Sequence, residues 1–227
     1  MAHPNALSGM LDAVRQIVST GVVVEGGGLG DHALAHPIAE EEALPNAGDV
    51  RRREFRAGRL YARRALAQMG LRACTLPIGP GRAPVWPAGF TGSISHTRSL
   101  CIAVVGTTTA FRTIGFDMEE DAPLPDEIFA RVTTREENGA RRNLEQQLGD
   151  NAGTLLFVAK EAFYKMRFSV TGQFLDFGDV EVEFDAGAGA VRASLVGDGA
   201  TFMGRFARRE GMLFCYFDLP AERQGER

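Results

Sequence analysis

The sequence predicts an α+β fold with antiparallel sheets, and three observations point to it. Apolar residues recur at helical spacing near the start of the chain, around residue 60 and again around residue 160. Strand-like segments come in series, three between residues 93 and 119 and four beyond Gly172, rather than alternating one by one with helices. Short polar or glycine-bearing turns separate those segments, as antiparallel neighbours require. With 227 residues, 44% of them hydrophobic, the chain can bury a sizeable core without cross-links.

Taken in order, residues 5–18 set Leu7, Met10, Leu11, Val14, Ile17 and Val18 on one helical face. The GGGLG run at 26–30 lacks the lysine and serine of a phosphate loop and the spaced glycines of a dinucleotide fingerprint, so it reads as a flexible turn. From 49 to 69 a helix places Phe55, Ala62, Leu66 and Met69 on one face and Arg52, Arg56, Arg59 and Arg63 on another, with Gly70 as its stop. Residues 76–92 hold four prolines and four glycines and form a loop that carries Arg82 and Trp86. Strands follow around SISH, SLCIAVVG and TIGFDME. Thr134 and Glu137 make a capping box for a helix reaching about Leu148, and Asn151 caps the next, to about Phe168. The alternation in DVEVEF, VRASLV, TFMGRFAR and LFCYFDL gives four more strands, and the last eight or so residues read as a loose polar tail. A boundary falls near Gly106 to Gly115 with no flexible linker, which predicts two packed lobes, 1–110 and 111–227.

Charge and cysteine content narrow the function. The net charge of -4 argues against a general nucleic-acid binder, and no run approaches the roughly 20 apolar residues of a membrane span. Asp12 and Arg15 interrupt the first apolar stretch, so it reads as no signal peptide. Cys74, Cys101 and Cys215 are odd in number, without metal-ligand spacing, and read as ordinary thiols of a cytoplasmic protein. Arginines 51, 52, 53, 56, 59, 63 and 64 crowd one helix, while Asp117, Glu119, Glu120, Asp121, Asp126 and Glu127 form an acidic block. Separate cationic and acidic zones suit a protein that holds an anionic ligand and a divalent cation together.

Three segments carry that chemistry. Asp117 and Glu119, two apart on a strand, project to the same face, where unpaired carboxylates repel and a cation resolves the conflict. In FVAKEAFYKM, Glu161 and Lys165 are an i, i+4 pair at the margin of a buried stripe, which alone is an ordinary helix-surface contact. GSISHT offers Ser95, His96 and Thr97 as polar contacts, with no pattern around His96 that would make a hydrolytic triad. Together Asp117, Glu119 and Glu161 would suit Mg²⁺, which takes few carboxylates and leaves its other positions to water and phosphates. Lysines, arginines and a histidine around it would clamp a polyphosphate.

RREFRAGRLYARRAL, GRAPVWPAGFTGSISHT, IGFDMEE, FVAKEAFYKM and TGQFLDFGDVEV occur in that order across much of residues 51–182. In these segments the chain resembles the two-lobed 4'-phosphopantetheinyl transferases, especially the branch of the enterobactin synthetase D component. It departs from the family pattern mildly, with Phe116 where isoleucine is common, Phe157 where tryptophan is common and Met118 at a variable place. The resemblance implies two similar lobes, each an antiparallel sheet packed with helices, with coenzyme A in the cleft between them. It implies Mg²⁺, or Mn²⁺ in its place, on Asp117, Glu119 and Glu161. It implies Arg51, Arg59, Arg82, Ser95 and His96 against the adenosine and its phosphates, and Lys160 and Lys165 against the pyrophosphate.

The implied reaction is attack by the serine of an apo acyl or peptidyl carrier protein on the β-phosphorus of coenzyme A, expelling adenosine 3',5'-bisphosphate, with Glu161 and Lys165 as its catalytic residues. The pathway it would serve, whether siderophore, nonribosomal peptide, polyketide or fatty acid, is left open. Arg53, Arg63 and Arg64 are candidates for recruiting an acidic carrier. A monomer is expected, since two lobes of one chain complete the cleft. The alternatives are a metal-dependent phosphodiesterase or hydrolase acting on coenzyme A or a nucleotide, and a non-catalytic coenzyme A-binding module.

Overall fold

The computed structural model describes residues 4–222. Helix α1 (Pro4–Ile17) leads into strand β1 (Val23–Gly28), helix α2 (Asp49–Gln68), and strands β2 (Phe90–His96) and β3 (Leu100–Thr107). These three strands pair antiparallel in the order β1-β3-β2. Strand β4 (Phe111–Glu120) begins a second antiparallel sheet, β4-β8-β7-β6-β5, completed by β5 (Val180–Asp185), β6 (Ala190–Leu195), β7 (Thr201–Arg209) and β8 (Met212–Pro220). Helices α3 (Asp126–Val132), α4 (Arg135–Gly139), α5 (Arg141–Leu148) and α6 (Ala152–Thr171) lie between β4 and β5 in the chain. The architecture is the expected α+β arrangement of antiparallel sheets packed with helices.

Strand alternation distributes the core among three helices. On β3, Cys101, Ala103 and Val105 face α2, where Ala57, Tyr61, Ala62, Ala65 and Leu66 cover them. Their neighbours Leu100, Ile102 and Val104 face α1. Helix α1 also covers Phe116 and Met118 of β4 with Phe214 and Tyr216 of β8, so one amphipathic helix packs against both sheets. The opposite face of the second sheet receives α6, with Leu155, Leu156, Ala159, Ala162, Phe163 and Met166 set against Val182, Ala193, Leu213, Cys215 and Phe217.

Helix α6 lies almost flat on β4. A Cβ built on Gly115 would stand 2.6 Å from the Met166 nitrogen and closer still to the Ala162 carbonyl oxygen. Thr113 Oγ1 donates to the Met166 carbonyl at 3.0 Å beside this contact. The glycine is needed here for lack of a side chain, not for a special backbone angle.

Several local expectations change. The GGG of residues 26–28 ends edge strand β1 and is not a flexible turn. A Cβ on Gly27 would run into the Tyr61 hydroxyl, and one on Gly26 would stand 2.8 Å from the Cys101 carbonyl oxygen, so helices can press on both faces of this edge. The helix expected to run unbroken to Leu148 divides at Ala140 into α4 and α5, although its capping box is present. Asn151 occupies the N-cap place of α6, but its amide donates to the carbonyl and carboxylate of Asp121, 2.9 Å each, and leaves the helix end uncapped by a side chain. The helix runs to Thr171, three residues beyond the end expected near Phe168, and Gly172, with a φ of 64°, closes it in the left-handed region. Cys101 and Cys215 are buried and Cys74 is partly so, all three as free thiols. No described helix is long and apolar enough to cross a membrane. The polar tail lies mostly in residues 223–227, outside the described residues.

Gly115→Ala should lower stability by about 3 kcal/mol, since neither the β4 backbone nor the α6 backbone can yield as a flexible side chain would. Urea unfolding checks this, and a change below about 0.5 kcal/mol would show that α6 can lift away from β4 without loss.

Candidate active site

The two sheets meet where β2 runs beside β4, and hydroxyl groups join them. Ser93 Oγ donates to the Phe116 carbonyl at 3.2 Å. Ser95 Oγ donates to Asp117 Oδ1 at 2.6 Å and accepts from the Met118 nitrogen at 3.3 Å. Lys165, on the face of α6 that crosses β4, seals this seam: its Nζ lies 2.5 Å from Asp117 Oδ1, with the carbonyls of Phe116 and Ile94 at 3.3 and 3.4 Å.

Glu161 stands one turn before Lys165 on α6, and Glu119 two residues after Asp117 on β4. The carboxyl of each is held above the usual carboxylate range, first by burial and then by the charge of Asp117, with Lys165 pulling the other way. Asp117 is therefore the common electrostatic neighbour of the other two. Among the described residues no three acidic, histidine or cysteine side chains are already drawn round one point as a ready-made metal cage. With Lys165 as the one ammonium paired to Asp117, the three carboxylates leave a surplus of negative charge around it, and their oxygens are the groups here that could hold a hard cation.

Beside the seam, Arg51, Arg59 and Arg82 line a pocket of about 320 Å³ with Phe55 and Ile78 among its apolar walls. Arg59 is only 6% exposed. Its Nε donates to the Leu76 carbonyl at 3.0 Å and its guanidinium lies 4.1 Å over the Phe55 ring. Among the described residues nothing accepts from its Nη2, although that atom is buried. Burial lowers the pKa to about 10, which leaves the group cationic at neutral pH. A buried cationic donor without an acceptor is costly, and an anionic ligand would relieve it.

Arg82 has a φ of 65°, uncommon for a side-chain-bearing residue, and follows Gly81 at 61°. Gly81 cannot carry a Cβ, which would stand 2.5 Å from the Phe168 ring of α6. The turn is thereby pressed against α6, and Arg82 forms a common wall between the arginine pocket and a second one of about 260 Å³. Trp86, Ile94, Glu161, Tyr164, Lys165 and Phe168 are among the residues lining the second pocket. The pocket of three arginines thus lies next to the one that holds Glu161 and Lys165.

Arg51 Nη1 lies 3.0 Å from His96 Nε2 and 3.3 Å from Glu54 Oε2. A guanidinium can only donate, so Nε2 accepts and the ring proton sits on Nδ1. Burial lowers the His96 pKa, Glu54 opposes this, and Arg51 and Lys165 reinforce it.

The structure thus brings Arg51, Arg59 and Arg82 to one pocket and Ser95, Asp117 and Lys165 to one seam. It does not bring Lys160 to either. Lys160 is 2% exposed, and its Nζ is committed to Glu137 Oε2 at 2.6 Å and the Phe177 carbonyl at 2.8 Å, which turns it away from any phosphate in the cleft. Most of the remaining arginines of α2 also have local partners. Arg56 pairs with Glu41 and Arg63 with Glu40, Arg52 donates to the Leu44 and Ala47 carbonyls, and Arg64 reaches Asp31 at 3.2 Å. Sequence reasoning passed over Ser93 and Glu54. Ser93 lies two residues from Ser95 on one strand face, and Glu54 three from Arg51 on one helix face, and those spacings were the available signals.

Comparison with known proteins shows the family. A family model for the 4'-phosphopantetheinyl transferase N-terminal domain matches residues 39–106, and one for the 4'-phosphopantetheinyl transferase superfamily matches residues 113–210. The chain belongs to the 4'-phosphopantetheinyl transferase superfamily. Within that superfamily it is 34% identical over 174 residues to 4'-phosphopantetheinyl transferase Npt of Nocardia iowensis, covering 74% of this chain and 77% of that protein. It is 36% identical over 186 residues to 4'-phosphopantetheinyl transferase Svp of Streptomyces mobaraensis, covering 76% and 75%. Enterobactin synthase component D of Escherichia coli (strain K12) is 37% identical over 143 residues, covering 59% and 64%.

Because the folded protein disfavours the charged ring, the stability that His96 contributes as a neutral acceptor is complete above its unfolded pKa and fades as the pH falls through the lower folded value. Ring ¹⁵N resonances should show the Nδ1–H tautomer at pH 7 and a midpoint below the ordinary value of roughly 6.5. Arg51→Ala should raise that midpoint; an Nε2–H ring, or a midpoint indifferent to Arg51, would contradict the assignment.

Proposed function

We propose that this chain transfers the 4'-phosphopantetheine arm of coenzyme A to a serine of an apo acyl or peptidyl carrier protein, releasing adenosine 3',5'-bisphosphate. Residues 1–110 and 111–227 act as its two lobes, in a monomer that works in the reducing cytoplasm. The observation that carries the reading is the buried, uncommitted Nη2 of Arg59 in the wall of an arginine pocket that shares Arg82 with the pocket holding Glu161 and Lys165. A ligand with several phosphates spaced along one chain matches two such neighbouring pockets, and coenzyme A is one.

In this reading Arg51, Arg59 and Arg82 hold the phosphates of the adenosine half, with His96 beside Arg51 and Ser95 beside Asp117 as further contacts. Lys165 neutralises charge on the pyrophosphate, and its ammonium already rests between Asp117 and the β2–β4 carbonyls. The carrier serine oxygen attacks the β-phosphorus in line and the bond to the α-phosphate oxygen breaks, so that the bisphosphate leaves toward the arginines. Glu161 is the carboxylate that lines the second pocket, which makes it the group to receive the serine proton.

The chemistry of the donor set, three carboxylate oxygens with an unbalanced negative charge, fits Mg²⁺ held by Asp117, Glu119 and Glu161. When bound, the ion would supply Lewis-acid neutralisation of the pyrophosphate oxygens. Lys160 has no part in the clamp, for the reason its burial gives.

Intact-mass analysis of a panel of apo carrier proteins incubated with coenzyme A and Mg²⁺ should show phosphopantetheine addition, abolished by a chelator and restored by Mg²⁺. Release of bisphosphate without a carrier would favour a hydrolase, and binding of coenzyme A with neither outcome a non-catalytic module. Glu161→Gln should lower kcat by roughly 10²–10⁴-fold with coenzyme A binding almost unchanged. Equal losses in both would leave Glu161 as a ligating group alone.

A further inference from the structure

Lys160 belongs to the same segment as Glu161 and Lys165 but performs none of their chemistry, and what it touches suggests its role. Glu137 is a buried carboxylate that receives three donors from three elements. Its Oε2 accepts from Lys160 Nζ on α6 at 2.6 Å and from the Thr134 nitrogen at the start of α4 at 2.8 Å. Its Oε1 accepts from the Val182 nitrogen on the edge strand β5 at 2.8 Å. Lys160 adds the carbonyl of Phe177, just before β5, at 2.8 Å. One ion pair therefore ties the middle of α6 to α4 and to the far edge of the second sheet.

The consequence for the seam follows from helix geometry. Successive residues of an α-helix lie about 100° apart around its axis, so a fixed direction for Lys160 also fixes those of Glu161 and Lys165. Toward its C-terminal end α6 is held by the flat contact at Gly115 and by the Thr113–Met166 hydrogen bond. At its N-terminal end Asn151 and Thr154 donate to the Asp121 and Ala122 carbonyls, and between that end and the Gly115 contact the polar anchor is Lys160, next to Glu161. A buried ion pair is a poor source of stability compared with apolar residues of the same volume, whereas its directional bonds fix orientation.

We infer that Lys160, paired with Glu137, is a positioning residue that sets the rotation of α6 so that Glu161 and Lys165 face Asp117, and that it makes no contact with coenzyme A. The inference rests on the transfer reaction proposed above for its kinetic test, but not for its binding test.

The test compares Lys160→Met and Glu137→Gln, the second of which removes the charge and keeps an acceptor for one of the two backbone donors, with the wild-type protein. Calorimetry on metal-free protein should give coenzyme A affinities within roughly twofold of wild type for both variants, while Mg²⁺ titrated into the coenzyme-bound protein should bind roughly tenfold more weakly in both. In turnover, kcat should fall roughly tenfold in each with KM for coenzyme A unchanged, and the double variant should be no worse than Lys160→Met alone, since the two residues act as one unit. If Lys160 instead clamps phosphate, Lys160→Met will weaken coenzyme A binding and Glu137→Gln will not, which overturns the inference. Losses that vanish once rates are normalised to the folded fraction would also overturn it, by reducing the pair to a stability element. Should Lys160→Met fail to fold, the same two measurements on Glu137→Gln decide. A wild-type protein that modifies no carrier would count against the reaction and leave the binding comparison intact.

Discussion

The chemistry at the seam depends on how closely α6 lies on β4. Gly115 allows the helix backbone to rest against the strand, and that contact sets Lys165 within 2.5 Å of Asp117 and Glu161 within electrostatic reach of it. A side chain at Gly115 would lift α6 and part the acidic strand from the helix that carries its counter-ion. The same closeness accounts for the electrostatics: carboxylates held apart in solvent would keep ordinary pKa values, whereas here burial and Asp117 together raise those of Glu119 and Glu161.

A second constraint joins this seam to the arginine pocket. The β2–β4 junction is stitched by Ser93 and Ser95. Hydroxyls can donate and accept at once, so the junction satisfies buried backbone groups and still leaves Asp117 open to Lys165. His96, next along β2, leans on Arg51, and the pressed turn at Gly81 sets Arg82 between the two pockets. Cationic side chains from the first half of the chain thus border carboxylates from the second.

Much of the fold was legible because it depends on period. The alternation that turns Phe116 and Met118 toward α1 and Asp117 toward Lys165, and the helical stripe through Ala159, Ala162 and Met166, both appear in the structure. Sequence fell short where one side chain competes for another's attention. Nothing in FVAKEAFYKM distinguishes Lys160 from Lys165, because the difference lies in Glu137, a residue 23 positions away whose capping role was visible but whose second function was not. The arginine cluster reads as a uniform basic face until Glu40 and Glu41 are found against Arg63 and Arg56. The triple glycine misled for a related reason: its purpose is to admit Tyr61 and the neighbouring strand, and close approach leaves no local mark in a sequence.

The central claim is that Asp117, Glu119 and Glu161 share one ion in front of the arginine pocket. Diffraction from crystals grown with coenzyme A and Mn²⁺, recorded at the manganese absorption edge, tests it directly. The account predicts a single strong anomalous peak bounded by these three carboxylates, with a coenzyme phosphate oxygen among its ligands and density for another phosphate at Arg59 Nη2. A peak elsewhere, or coenzyme bound while Lys165 still holds Asp117 and no ion lies between the carboxylates, would contradict it.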